Sequence, residues 1–370
     1  MFKFVKMPMA HPIKLLEISY FYSDTTKLDV LNEQQVSAFN FLKYLSNYFN
    51  VTSYKFANFL KDVTYNNCTV KIATTKIGKF TIPFKFHNTL KEQDAQVILI
   101  HGINNFFQVI HLRICLGKKV KLIVQHHGER PNGLIKRSLL KISSFFVDAY
   151  LFTSIQTAID LGLNKQKVFE LMEGSSEIIA SDRMEARRLL IVPTDAKVYL
   201  WVGRLIDVKD PLFFLKEFNI FSETRRDVKL YLIYTDDQLL DNCKTICKEN
   251  SNIVFIGKVD HNQMKNWYSA ADFFVSSSLY EGSGYALCEA MACNLIPIVS
   301  RIGAFNFMTD NGNCALTFES NNKEGLQEAL HRSLKVYNIE LKEKIALQFK
   351  NKLCYEAIAK RFNEIAMCLH

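Results

Sequence analysis

Glu281 and Glu289 stand eight residues apart in the stretch YEGSGYALCEAM, with Gly282, Ser283 and Gly284 between them and a helix-forming run behind. Glycines let a backbone turn tightly and approach a ligand closely. The helix that follows turns its first amides and the positive end of its dipole back toward the same loop, which suits an anion such as phosphate. Carboxylates touching that phosphate would repel it, so they suit hydroxyl groups on either side. Phosphates in the middle and hydroxyls at both ends describe a nucleotide sugar. A second cluster supplies cations: Gly203 and Arg204 follow the apolar run VYLWV (198–202), with Lys209 five positions on and Asp210–Pro211 starting a helix. Arginine offers a planar fork to phosphate oxygens and lysine a mobile point charge.

The elements needed to hold these loops are legible as short apolar runs. Lys229–Tyr234, Ile253–Gly257, Asp272–Val275 and Ile296–Val299 read as buried strands between helices, the pattern of a parallel sheet. Ligands of such sheets bind at the carboxyl ends of the strands, where both clusters fall. The amino-terminal half repeats the alternation, with strands at Lys14–Ser19, Val97–Ile100, Lys121–Val124 and Ala149–Phe152 and helices at Gln35–Tyr48 and Leu134–Phe146. Two of these strands run into histidines, His101-Gly102 and His126-His127-Gly128. The chain therefore reads as α/β, with two doubly wound Rossmann-like domains.

VGRLIDVK, IVFIGKV, AADFFVSSSLYEGSGYALCEAMAC and IPIVSRIGAF occur in the order and spacing of the carboxyl-terminal half of family 4 glycosyltransferases, and over about Lys197–Phe318 the chain resembles that family. The resemblance implies the GT-B fold, two domains facing across a cleft, and transfer of a sugar with retention of configuration. It implies that Arg204 and Lys209 grip the donor diphosphate, that Glu289 takes the ribose hydroxyls, and that Glu281 meets the sugar. Tyr285 and Ala286 would offer backbone amides, and Lys258 and Val259 would lie near the base. His127 would meet the sugar from the amino-terminal domain. Glu281, His127, Arg204 and Lys209 are thus the expected catalytic groups. Three positions depart from the family: Ser283 replaces a phenylalanine, Asn294 a glycine, and Thr235-Asp236-Asp237 a glycine-rich turn. The first loop, Tyr20–Asn32, carries no glycine where relatives often have a pair.

The expected division is 1–185 for the acceptor side and 186–352 for the donor side, with a helix over 353–370 crossing back onto the first. At 370 residues and 48% hydrophobic content the chain can bury two cores. No apolar run approaches bilayer length, and residues 1–12 lack the apolar core of a secretory signal. Nine scattered cysteines complete no zinc set, so reduced thiols in the cytoplasm are expected. Residues 1–190 carry 25 Lys and Arg against 15 Asp and Glu, so the whole net charge of +9 resides there. That asymmetry suggests an anionic partner. A membrane surface or lipid-linked phosphate fits better than nucleic acid, since no basic stripe with stacking aromatics occurs. Lys136, Arg137 and Lys141 among the apolar residues of 132–146 form a basic amphipathic helix suited to the inner face of a membrane.

The reading is a metal-independent hexosyltransferase without cofactor, using a UDP- or GDP-sugar and a glycan or lipid-linked acceptor in cell-surface polysaccharide or glycolipid assembly. A sugar-nucleotide epimerase on the same fold would need acid and base groups over the sugar ring, where only the histidines qualify. A non-catalytic nucleotide-sugar-binding subunit is the third reading, kept open by the altered first loop. Were a metal required, Asp236 and Asp237 would be the first suspects.

Overall fold

The computed structural model describes residues 13–78, 80–131, 133–248, 250–335 and 339–370, so residues 1–12 lie outside it. The chain forms two compact units, one running to Gly174 and completed by Ile358–His370, the other Ser175–Ala357. Among the described residues no helix is long and apolar enough to cross a membrane.

The first unit holds eight strands: β1 (Lys14–Ser23), β2 (Asn50–Ala57), β3 (Lys61–Tyr65), β4 (Cys68–Ala73), β5 (Val97–His101), β6 (Lys121–Gln125), β7 (Ala149–Phe152) and β8 (Val168–Glu170). Their order is β3-β4-β2-β1-β5-β6-β7-β8, parallel except for the edge hairpin β3–β4. The chain reverses its direction of winding between β1 and β5, where a cleft opens at the strand ends of such sheets. Leu16, Ile18, Ile98, Ile100, Leu122 and Val124 fill the core beneath.

The second unit holds β9 (Lys197–Gly203), β10 (Val228–Tyr234), β11 (Ile253–Gly257), β12 (Phe273–Ser276), β13 (Ile296–Ser300) and β14 (Leu316–Phe318). The order β11-β10-β9-β12-β13-β14 is wholly parallel, with its switch point between β9 and β12. The arginine–lysine loop follows β9 and the first glutamate follows β12. Topology thus places the two sequence clusters side by side.

Several expectations need correction. The division falls after Gly174 instead of after residue 185. The physical cause is the helix Arg183–Leu190, whose buried Arg187 bonds the carbonyls of Ala270 and Ala196 and the carboxylate of Asp272, tying it to the second unit. The last helix starts at Tyr355 and joins the first unit from Ile358, with the Phe362 ring set edge-on to Phe41 and Phe49. β1 continues past Ser19 to Ser23 through an irregularity between Ile18 and Tyr22, and a helix begins at Leu28, so the expected glycine-free loop Tyr20–Asn32 shrinks to residues 24–27. The hairpin β3–β4 went unread, although Asn66 and Asn67, both with positive φ, are suited to a two-residue turn between alternating strands.

Candidate functional site

Each strand end contributes one piece of the site in the second unit. After β12, the hydroxyls of Ser277 and Ser278 stitch the loop down: Ser277 Oγ donates to the Asp210 carbonyl at 2.8 Å and Ser278 Oγ to Glu281 Oε1 at 2.7 Å. Lys209 Nζ, from the loop after β9, reaches the same Glu281 oxygen at 2.5 Å. The leading cation and the leading carboxylate of the sequence reading are therefore one another's partners. Arg204 is exposed and makes no ion pair among the described residues. Asp236 lies against this loop through its carbonyl, which accepts from Leu205 N at 2.9 Å. Among the described residues no group of three His, Cys, Asp or Glu could hold a metal.

Gly284 caps the helix Tyr285–Ala292 in the left-handed conformation, φ 70°. A Cβ there would come within 2.9 Å of the Phe305 ring, so glycine is required twice over. Ser283 is buried beneath this turn. One helical turn on, Glu289 accepts from Tyr268 Oη at 2.7 Å and lies 3.0 Å from His261 Nε2. Glu289 in turn raises the His261 pKa above its ordinary value, while burial first and Glu289 second push the Tyr268 phenol well up. Lys258 is exposed and Val259 half-buried just beyond β11. Asn294, at φ 60°, adopts the left-handed conformation that its place after the helix demands.

His127 belongs to the first unit, and its surroundings are richer than the sequence suggested. Its Nε2 lies 2.8 Å from His101 Nδ1, and its Nδ1 lies 3.1 Å from Glu173 Oε2. Glu129 fastens the loop by accepting from His127 N at 2.7 Å and Ile103 N at 3.0 Å. Burial alone would lower the His127 pKa; Glu173 and Glu129 override it and raise it. His126 is structural, stacked on Phe152 with its Nε2 3.0 Å from the Glu129 carbonyl. Glu17, Lys55, His101, Glu129, Glu173, His261 and Tyr268 were all missed as partners. Only Glu17 and Lys55 carried a signal, as lone charges in the apolar runs LLEIS and SYKFA.

Residues 196–335 match the family "Glycosyl transferases group 1". The matched stretch lies wholly within the second unit. An uncharacterized glycosyltransferase of Methanocaldococcus jannaschii is 30% identical over 125 residues, 33% of this chain and 32% of that protein. The UDP-Gal:alpha-D-GlcNAc-diphosphoundecaprenol alpha-1,3-galactosyltransferase of Escherichia coli is 26% identical over 181 residues, 48% of this chain and 44% of that protein. These matches span less than half the length of either relative. Among solved structures, sucrose-phosphate synthase of Thermosynechococcus elongatus superposes with a TM-score of 0.72 at 17% identity, covering 96% of this chain and 99% of that one. HepE of Anabaena, in complex with UDP, gives 0.72 at 13% identity over 96% and 100%. The chain therefore shares the GT-B fold of these structures.

Proposed function

We propose that the chain transfers a sugar, with retention of configuration, from a nucleotide-diphosphate sugar to an acceptor hydroxyl. The observation that carries this reading is the Lys209–Glu281 pair at the switch point, flanked by the exposed Arg204 and the Gly284 turn. Departure of a nucleoside diphosphate leaves negative charge on phosphate oxygens. Arg204, Lys209 and the amides opening the Tyr285–Ala292 helix are the groups placed to stabilise it. Glu281, held by Ser278 and Lys209, is oriented to accept from sugar hydroxyls. Glu289 takes the ribose, with His261 and Tyr268 fixing its two oxygens. Lys258 and Val259 border the base, and no metal takes part.

HepE was solved with UDP, and with UDP and glucose, which makes a UDP-sugar the first donor to try. A thermal-shift series of UDP-, GDP- and ADP-sugars comes first, because a ligand that binds the folded state raises its melting point. A donor so found must then release nucleoside diphosphate only when acceptor is present, and the product must keep the donor's anomeric configuration. Release that ignores acceptor, or binding without turnover across a broad acceptor panel, defeats the reading in favour of an epimerase or a binding subunit.

For the acceptor we propose a lipid-linked glycan at an anionic membrane, in cell-surface polysaccharide or glycolipid assembly; the Escherichia coli relative is named for an alpha-D-GlcNAc-diphosphoundecaprenol substrate. Support comes from the helix Leu134–Ser143 and the turn after it, where Leu134, Ile135, Ile142 and Phe145 are exposed beside Lys136, Arg137 and Lys141. Only Leu140 among the large side chains is fully spent on the core. Each cation near an anionic surface contributes about 1 kcal/mol, screened by salt. The protein should float with anionic liposomes at low salt and less at high salt, and the triple change K136E/R137E/K141E should abolish flotation. Sedimentation at low salt would point to an acceptor in solution.

A further inference from the structure

Glu17 and Lys55 are fully buried in adjacent central strands, where parallel sheets ordinarily carry valine, isoleucine or leucine. Lys55 Nζ donates to Glu17 Oε1 at 2.7 Å, Ser53 Oγ donates to Oε2, and the Phe39 ring lies 5.7 Å from the ammonium. Burying such a pair costs solvation that its own attraction repays poorly. It does not end there. His101 Nε2 stands 2.6 Å from Glu17 Oε1, a charge contact tilted off the hydrogen-bond line. From His101 the series continues through Nδ1 to His127 Nε2, and from His127 Nδ1 to Glu173 Oε2 at 3.1 Å, again a charge contact off the hydrogen-bond line.

Counting protons along this series fixes its charge. A carboxylate only accepts, so Glu17 favours a proton on His101 Nε2 and Glu173 one on His127 Nδ1. The contact between the rings, at 2.8 Å, needs one proton more. That makes three protons on two rings, one more than two neutral imidazoles hold. The extra charge belongs on His127: its side chain is 34% exposed against 9% for His101, and the Lys55 ammonium repels a charge on the His101 side. We propose that Glu17, acting through His101 on one side, and Glu173 on the other form a positioning relay that holds His127 as an imidazolium, so that it presents a fixed positive charge instead of a proton-accepting lone pair. Burial lowers the His101 pKa against the pull of Glu17, whereas that of His127 is raised by Glu173 and Glu129 against burial and the more distant Lys55 ammonium. The other ionisable groups around His127 are Glu129, His126 and, further in, Lys55.

The consequence deepens the transferase reading, on which it rests. His127 sits just past the carboxyl end of β6 as a partner for an electron-rich oxygen, phosphate or sugar, and does not act as a general base. With both ring nitrogens in use, a ligand oxygen must take the place of one of them.

The test is a histidine titration by NMR on the full chain without substrate, with signals assigned through His127→Gln and His101→Gln. Its outcome does not depend on whether sugar is transferred. The His127 midpoint should lie above the ordinary value near 6.5, and Glu173→Gln, at the exposed end, should lower it by about 1 unit or more. The double change Glu17→Gln/Lys55→Met removes the buried pair together and lets His101 switch its proton to Nδ1. Nitrogen chemical shifts should then report the other tautomer of His101, and an unchanged tautomer in the folded double variant overturns the proposal. A His127 midpoint at or below the ordinary value in the unaltered protein overturns the proposal. So does a midpoint indifferent to Glu173→Gln, which reads out whether or not the double variant folds.

Discussion

Among the described residues, each unit encloses a lysine or arginine against a carboxylate, Lys55–Glu17 in the first and Arg187–Asp272 in the second, and the two pairs are built differently. In the second unit Arg187 is wholly enclosed: its guanidinium donates to the carbonyls of Pro193, Thr194, Ala196 and Ala270, each at 2.9 Å, and to Asp272 Oδ2 at 2.8 Å. Asp272 is satisfied in turn by Arg183 and by Val198 N. Every bond in that network closes on the unit's own backbone or on its own helix. In the first unit the Lys55–Glu17 pair opens instead, through two histidines, onto a half-exposed ring. A closed buried charge fastens a segment. One that leads through charge contacts and a ring–ring hydrogen bond to a strand end sets the state of a site.

The sharpest way to break this contrast is Arg187→Met. Removing one partner of a buried pair strands the other, at a cost of about 3–5 kcal/mol. Urea denaturation should show that loss; a variant with unchanged midpoint would mean that the network is not what fastens the Arg183–Leu190 helix. Next in size, Arg204→Ala or Lys209→Ala should lower turnover by about 100-fold or more, as loss of a transition-state charge partner does. Glu289→Ala should chiefly raise KM, because its contacts persist from ground to transition state. Full activity in either cation variant would remove the donor site from the β9 loop.

Acid separates the units further. Burial holds the His87 pKa down to about 3 and lowers those of His101 and His126, all in the first unit. For such groups the unfolded chain binds the proton first, so stability is lost as pH falls below about 6.5, at up to about 1.4 kcal/mol per unit for His87. His127, and His261 in the second unit, have raised values and act oppositely: their contribution is present at low pH and fades as pH rises through the folded value. Between pH 7 and 5 the first unit should therefore lose about 2 kcal/mol or more, and the second should not. Both tryptophans, Trp201 and Trp267, lie in the second unit. Circular dichroism should accordingly fall at lower urea than tryptophan fluorescence changes at pH 5, with the gap closing at pH 7. Coincident curves at both pH values would contradict the assignment.

Smaller effects follow from single positions. Asn294→Ala forces a Cβ-bearing residue without a local hydrogen-bonding side chain into the left-handed region, at about 1 kcal/mol, whereas Asn294→Gly should be neutral within error in the same denaturation experiment. Smallest of all, thorough chelation should leave turnover unchanged. A strict need for magnesium or manganese would redirect attention to Asp236 and Asp237.

The two loops proposed to hold the donor were legible as units because their residues are neighbours in sequence. Gly282–Gly284 and Glu289 are linked by one helix, and Arg204 and Lys209 by one loop, so spacing alone carries the geometry. That both loops meet could be expected from strands ending beside them, and the wholly parallel order around β9 and β12 supplies the reason. The pairing of Lys209 with Glu281 was not legible, because residues 72 positions apart meet only through the crossing of two strands. The relay on His127 was less legible still. Glu17, Lys55 and His101 come from the strands β1, β2 and β5, His127 and Glu173 from the loops after β6 and β8, and no sequence interval connects them. Sequence alone determined the α/β class, the parallel strands and the chemistry of the contiguous loops, since hydrophobic period and turn residues are local properties. Which charges share a face, which histidine bears the proton and where one unit yields to the other were decided by tertiary packing, because burial and register, which fix those energies, exist only once distant strands lie side by side.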